Sequence, residues 1–219
     1  MLSEEKEDLI EGLIDEIKNM RGDPLEYTGN KLVISRGNSK AKLLIIGEAP
    51  GPIENEEGEP FRGPAGILLD EMLESEKFKL DQDIYIINAV FRMPPGKNGK
   101  KFGPPSTKVI EYYRPYILKF IRLIEPKIIV LLGNSACKSV LDKVGITKLR
   151  GEWKCEKDIF IMPPYEKDIF IMPTYHPSYV QRKNHPSSEQ RKKNQYLNLA
   201  KNDIKMIREK FNELTEPTM

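Results

Sequence analysis

The sequence predicts an α/β fold, a three-layer sandwich in which a central, mostly parallel β-sheet is flanked by helices. Three short runs point to it first: residues 42–46 (KLLII), 83–90 (DIYIINAV) and 127–132 (KIIVLL). They are apolar on both faces, as strands covered from both sides must be. After each comes a loop and then a stretch with helical periodicity. Strand and helix therefore alternate, the order that builds a parallel sheet with crossover helices.

The elements follow in order, and the 219 residues are read as one domain, 1–219. In the first segment, 1–22, Leu9, Ile10, Leu13, Ile14, Ile17 and Met20 share one helical stripe. Ser3 can cap its start, and Gly22-Asp23-Pro24 stops it. A short strand is expected over 31–35, with a turn at Arg36-Gly37-Asn38 before KLLII. Helices are expected over 64–74, over 106–124 with Ser106 or Thr107 as cap, and over 134–144 opening at Gly133.

Residues 156–165 (EKDIFIMPPY) and 166–175 (EKDIFIMPTY) form a tandem copy that differs only at Pro164 and Thr174. The two runs could pair as a hairpin through 163–167, or one copy is the working strand and the other a bulged-out insertion. The second copy is favoured as the strand in the sheet, because His176 follows it. A polar stretch over 181–193 leads to a C-terminal helix over 187–214, with Tyr196, Leu197, Ala200, Ile204, Ile207 and Phe211 on its buried face.

Composition bounds the function classes. Apolar residues make up 39% of the chain, enough for one sizeable core. Lys+Arg at 35 nearly balance Asp+Glu at 33, so a nucleic-acid surface has to come from local clustering and not from net charge. The two cysteines, Cys137 and Cys155, form no C-x-x-C, zinc or disulfide pattern; one buried and one surface thiol in a reducing cytoplasm are expected. No apolar run approaches the roughly 18 residues of a membrane span. The acidic N-terminus is neither a signal nor a transit peptide. Frequent lysine and isoleucine with scarce histidine suggest a thermophile.

In open α/β sheets ligands bind at the carboxyl ends of the strands, which directs attention to the residues after Ile46, Ile87 and Leu132. The first loop holds Glu48 one residue beyond a buried strand, among glycines that let the backbone approach a ligand. Asn88, at the mouth of its strand, offers a donor and an acceptor together, which suits the edge of a nucleobase. His176 stands before a proline, which disfavours helix at that residue and puts the imidazole on an extended segment.

Taken together, GEAPG at 47–51 with Glu54 and the Gly58–Gly66 glycine-rich block, Asn88 ending a strand, LGNSA at 132–136, ITKLRG at 146–151 and PTYHPSY at 173–179 resemble the family-four uracil-DNA glycosylases. The resemblance runs from about residue 42 to 182 in the family's order. It implies that Phe61 stacks on a flipped uracil, Asn88 bonds its O4 and N3 edge, and His176 donates to O2. Glu48 would position the attacking water or stabilise the cationic sugar, with the Ala49 amide also facing the base. Glu54 would crowd C5 against the methyl of thymine, and Ser135 and Ser178 would hold phosphates. The fold this implies agrees with the sheet reading.

The chain also departs from that family. The resemblance implies an iron–sulfur cluster, structural in role, on four cysteines. Here no cysteine precedes GEAPG, and the third and fourth positions are Arg92 and Tyr113. No cofactor and no metal are therefore expected, with side-chain packing that involves Tyr113 holding the loop. Arg62 stands where an apolar residue is usual, either gripping phosphate or disturbing the pocket mouth. Gln181 replaces the leucine wedge, with Val180 as its substitute, and Arg182 begins a basic stretch that contacts DNA; His185 is read as surface. The expected protein is a monomeric hydrolase acting on DNA that contains uracil. The alternatives are a catalytically weak homologue that binds DNA or lesions, and a relative acting on another deaminated base such as hypoxanthine.

Overall fold

The computed structural model describes residues 3–96, 101–155, 169–183 and 194–216. Four strands run parallel at the centre: β2 (Leu43–Gly47), β3 (Ile84–Asn88), β4 (Ile128–Leu132) and β6 (Phe170–Thr174). Two short strands close the edges antiparallel, β1 (Ser35–Gly37) against β3 and β5 (Lys154–Cys155) against β6. The order across the sheet is β1-β3-β2-β4-β6-β5.

Helices cover both faces, and the alternation of side chains along each strand decides which. Leu44, Ile46, Ile87, Ile129, Leu131 and Ile171 point to one core, shared with α1 (Ser3–Lys18), α4 (Thr107–Ile124) and α5 (Gly133–Leu141). Leu43, Ile45, Ile86, Ile128, Val130 and Met172 point to the other. That second core is shared with α3 (Pro64–Ser75), α7 (Pro177–Lys183) and α8 (Gln195–Thr215). Every residue of β2, β3 and β4 is buried, which is why these runs show no polar alternation in the sequence. The sandwich expected from the sequence is the observed architecture.

Several boundaries differ from the sequence reading. The first strand is residues 35–37 and not 31–35; Val33 N–H still bonds the carbonyl of Phe91, but the preceding residues pair with no strand. α1 ends at Lys18, and Leu9 lies outside its buried stripe, at the solvent side. Two short helices, α2 (Pro52–Glu57) and α6 (Ile146–Leu149), fall where loops were expected, too short to show a period. Ser106 is the cap of α4, its hydroxyl accepting from Val109 N–H at 3.4 Å. α5 stops at Leu141 because Asp142 turns left-handed, three residues before the expected end.

The second copy of the tandem repeat supplies β6, as the position of His176 demanded. The first copy lies outside the described residues. The C-terminal helix is described from Gln195, behind Asn194, so its expected start at 187 also falls outside them. Residues 177–183 form helix α7 where an extended polar loop was expected; Pro177 stands in its first turn, where a missing N–H costs nothing. Cys137 is fully buried in α5 and burial pushes its thiol up to about 12, so it packs as a small apolar side chain. No helix among the described residues is long and apolar enough to cross a membrane.

Candidate active site

The four parallel strands end side by side, and the candidate residues sit on those ends. Gly47 pairs with Asn88 as the last step of the β2–β3 ladder, and Leu132 with Thr174 as the last of β4–β6. Two further bonds, Ala89 N–H to Gly47 O at 3.0 Å and Val90 N–H to Glu48 O at 3.2 Å, extend the first ladder past the strands. They fix the backbone of Glu48, whose side chain is half-buried. A Cβ at residue 47 would lie 2.3 Å from Asn88 Oδ1 and 2.5 Å from the ring of Phe61. Glycine there is what allows the buried Asn88 amide and the Phe61 ring to meet over the end of β2. Among the described residues, no group hydrogen-bonds the Asn88 side chain.

The Phe61 loop is held from below by one carboxylate. Glu54 Oε1 accepts the amides of Arg62 at 3.0 Å and Gly63 at 2.7 Å, and Oε2 accepts that of Gly51 at 3.0 Å. Both ends of the loop are thereby tied to α2, with Glu54 acting as the acidic half of a capping box on Gly51. The anchoring matters because Phe61 itself has φ 57, a left-handed conformation that costs a bulky residue about 1–3 kcal/mol. Gly66 completes the arrangement: a Cβ there would be 1.9 Å from the Phe61 carbonyl oxygen, so only glycine lets α3 begin against this turn.

His176 approaches from β6. Its ring lies beside that of Phe61, with centroids 5.7 Å apart and planes at 30°. Gly133, at φ 84, makes room for it, since a Cβ there would lie 3.2 Å from His176 Cβ. The Ser178 amide donates to His176 Nδ1 at 3.2 Å, and the Ser178 hydroxyl lies 2.9 Å from the same nitrogen. An acceptor Nδ1 leaves the ring proton on Nε2. Burial first, and the Arg182 guanidinium second, pull the imidazole down to about 4, so it is neutral at physiological pH.

A buried amide, an aromatic ring, a carboxylate and a neutral imidazole donor thus converge at the mouth of a parallel sheet. A family model described as the Uracil DNA glycosylase superfamily matches residues 34–205. The chain belongs to the uracil DNA glycosylase superfamily. Its relatives include the Type-4 uracil-DNA glycosylase of Sulfurisphaera tokodaii, 36% identical over 72% of this chain and 74% of that protein. The enzyme of the same name from Thermotoga maritima is 32% identical over 81% of this chain and 85% of that protein. A third, from Archaeoglobus fulgidus, is 32% identical over 65% and 71%.

For this superfamily member, the geometry brings together Phe61, Asn88 and His176, with Glu48 directly after Gly47 in the chain, and gives several other candidates partners within the protein. Ser135 is buried and its hydroxyl donates to Glu48 Oε2 at 2.7 Å. Val180 is fully buried in the core beneath α7, so it cannot enter a base stack. Gln181 Nε2 donates to the Pro64 carbonyl at 2.7 Å and links α7 to the start of α3. Arg62 is exposed but faces Glu59 at 3.1 Å and Glu57 at 3.5 Å, so a phosphate has to compete with two carboxylates. Arg182 donates to the Ser178 hydroxyl at 3.2 Å, and that hydroxyl lies 2.9 Å from His176 Nδ1. Glu54 spends both oxygens on the backbone amides of the loop that carries Phe61.

The corner where the family-four resemblance implies an iron–sulfur cluster does not fit one. Arg92 and Tyr113, the residues at two ligand positions, both bond Asp23: Arg92 Nε to Oδ2 at 2.6 Å and the Tyr113 hydroxyl to Oδ1 at 2.6 Å. Arg92 also donates to the carbonyl of Asn30, whose side chain donates to Met93 O at 2.8 Å. A guanidinium has no lone pair to ligate iron, and a phenol raised by burial and by Asp23 stays protonated. No group of three or more potential ligands occurs among the described residues. The ion pair and the two bonded loops close the corner that packing around Tyr113 was expected to close.

One support went unrecognised in the sequence. Asp203 of α8 is fully buried and receives Arg150 Nε at 3.0 Å and the Thr174 hydroxyl at 2.5 Å. Gly151 N–H bonds the Pro173 carbonyl at 3.0 Å. The ITKLRG segment thereby fixes the end of β6 two residues before His176. The available signal was a carboxylate inside the apolar stripe of the last helix, between Ala200 and Ile204.

Proposed function

We propose that the protein is a monofunctional uracil-DNA glycosylase of base excision repair, which hydrolyses the bond between N1 of a flipped-out uracil and C1′ of its sugar. The convergence of Asn88, Phe61 and His176 over Gly47 carries the reading. Extruding a base costs a few kcal/mol, and stacking on Phe61 offsets part of that. Asn88, buried and without a partner among the described residues, supplies an acceptor for N3–H and a donor for O4. Cytosine presents an amino group and a bare nitrogen there, the reverse pattern, and is rejected.

As the glycosidic bond breaks, its electron pair moves to N1 and O2 of uracil while the sugar becomes cationic. The Nε2–H of neutral His176 bonds O2 where that charge collects. Glu48 stabilises the sugar cation and takes the proton of the water that adds to C1′, with the Ala49 amide beside it. No metal or cofactor takes part in this scheme, which the residues complete among themselves. The protein acts as a monomer in the cytoplasm, with Arg62, Arg182 and the basic stretch after it meeting the DNA backbone.

Single-turnover incubation with a uracil-containing oligonucleotide, followed by alkali to break abasic sites, tests the proposal. Strand cleavage is expected with wild type and should fall by about a hundredfold or more in His176→Ala, as for loss of one preorganised donor. Parallel substrates carrying hypoxanthine, or thymine opposite G, should stay intact. Binding at low salt without base release from any substrate would overturn the proposal in favour of a lesion-binding homologue.

A further inference from the structure

We infer that Ser135 is a positioning residue for Glu48: its hydroxyl fixes the rotation of the carboxylate and commits one oxygen, so that the other addresses the water and the sugar cation. The inference rests on the role proposed for Glu48 and adds to it the residue that sets the carboxylate's geometry.

Three observations carry it. The Ser135 hydroxyl donates to Glu48 Oε2 at 2.7 Å, within the short range of a charge-assisted bond. Ser135 is 6% exposed, which leaves its hydroxyl little surface to offer a phosphate of the DNA backbone. Both partners stand on rigid supports. Glu48 is tied to the segment just after β3 by the bond from Val90 N–H. Ser135 lies in the first turn of α5, where Asn134 Oδ1 accepts the amides of Gly145 and Ile146, each at 2.9 Å. Two fixed backbones joined by one short hydrogen bond leave the carboxylate a single orientation. A general base and electrostatic stabiliser needs that, because misplacement by about 1 Å can cost about a hundredfold in rate.

The test is a double-mutant cycle with Ser135→Ala, Ser135→Thr, Glu48→Gln and the Ser135→Ala/Glu48→Gln pair, all confirmed as folded by their melting transitions. Single-turnover rates on a uracil oligonucleotide are measured at saturating enzyme, and binding of a uracil-free duplex is measured across salt concentrations. Ser135→Ala should slow the chemical step by about ten- to a hundredfold, with unchanged affinity and salt slope. Ser135→Thr, which keeps the hydroxyl, should recover most of the loss. In the Glu48→Gln background the Ser135→Ala change should add little, because the two residues act as one unit.

A wild-type rate in Ser135→Ala, or losses that multiply in the pair, would overturn the inference while leaving the role of Glu48 standing. Weakened binding with a shallower salt slope and an unchanged saturating rate would return Ser135 to phosphate contact. A wild-type rate in Glu48→Gln would instead remove the role of Glu48 itself, and the inference with it.

Discussion

The backbone amide of Ser178 donates to Nδ1 of His176 at 3.2 Å, and this one bond decides what the imidazole can do. With Nδ1 occupied as an acceptor, the ring proton resides on Nε2, pointing away from helix α7. The same chain turn that starts α7 therefore sets the tautomer of the residue before it.

The state of that ring is directly measurable. The His176 resonances should report a neutral Nε2–H tautomer throughout the neutral range and titrate only near 4, with the second histidine signal assigned through His185→Asn. In the unfolded chain the same ring takes up its proton near 6.5. Below that value the unfolded state binds the proton first, so this group's stability contribution is complete above 6.5 and declines as pH falls toward 4. A titration centred at or above 6.5 in the folded protein would contradict the half-buried, acceptor-bonded ring.

The Asp23–Arg92–Tyr113 corner should behave as a structural staple. Tyr113→Phe removes one bond to a carboxylate and should cost about 1.5–3 kcal/mol. Asp23→Ala also leaves the Arg92 guanidinium without its carboxylate and should cost more, about 3–5 kcal/mol. Urea denaturation gives both values. The single-turnover rate of the folded fraction should stay near wild type, because the three side chains are spent on one another; a large loss of rate without loss of stability would give the corner a different role.

Gly47→Ala should disable the pocket. The new methyl would collide with Asn88 Oδ1 and the Phe61 ring, so one or both must move. Uracil release should drop by about a hundredfold, with a stability loss of about 1–3 kcal/mol from overpacking. Base-release kinetics and a melting curve check it, and a fully active Gly47→Ala would mean that Asn88 and Phe61 do not work from their observed positions.

Glu54→Ala distinguishes holding the loop from crowding the base. Three amides lose their acceptor and Phe61 loses the restraint that keeps it left-handed, so the rate on uracil should fall about ten- to a hundredfold. Thymine opposite G should remain uncut. Release of thymine by this variant would restore the carboxylate to the C5 side of the pocket.

By itself the sequence determined the fold class, the sheet's central strands and the residues at their carboxyl ends. Those signals are local: KLLII, IYIIN and IIVLL are apolar on both faces because both faces are covered, and Glu48 and His176 follow strands while Asn88 ends one, by chain position alone. What only the tertiary structure decided is who touches whom. Ser135 was legible as a polar residue in LGNSA but not as the partner of Glu48, since the two stand 87 residues apart and meet because β2 and β4 are neighbours. Val180 looked available as a wedge until the helical turn after Pro177 rotated it into the core. Asp23, read as part of a helix stop, proved to be the acceptor for Arg92 and Tyr113. Periodicity reports which faces are buried, whereas a hydrogen bond between distant segments depends on strand order and helix rotation, and no local pattern carries either.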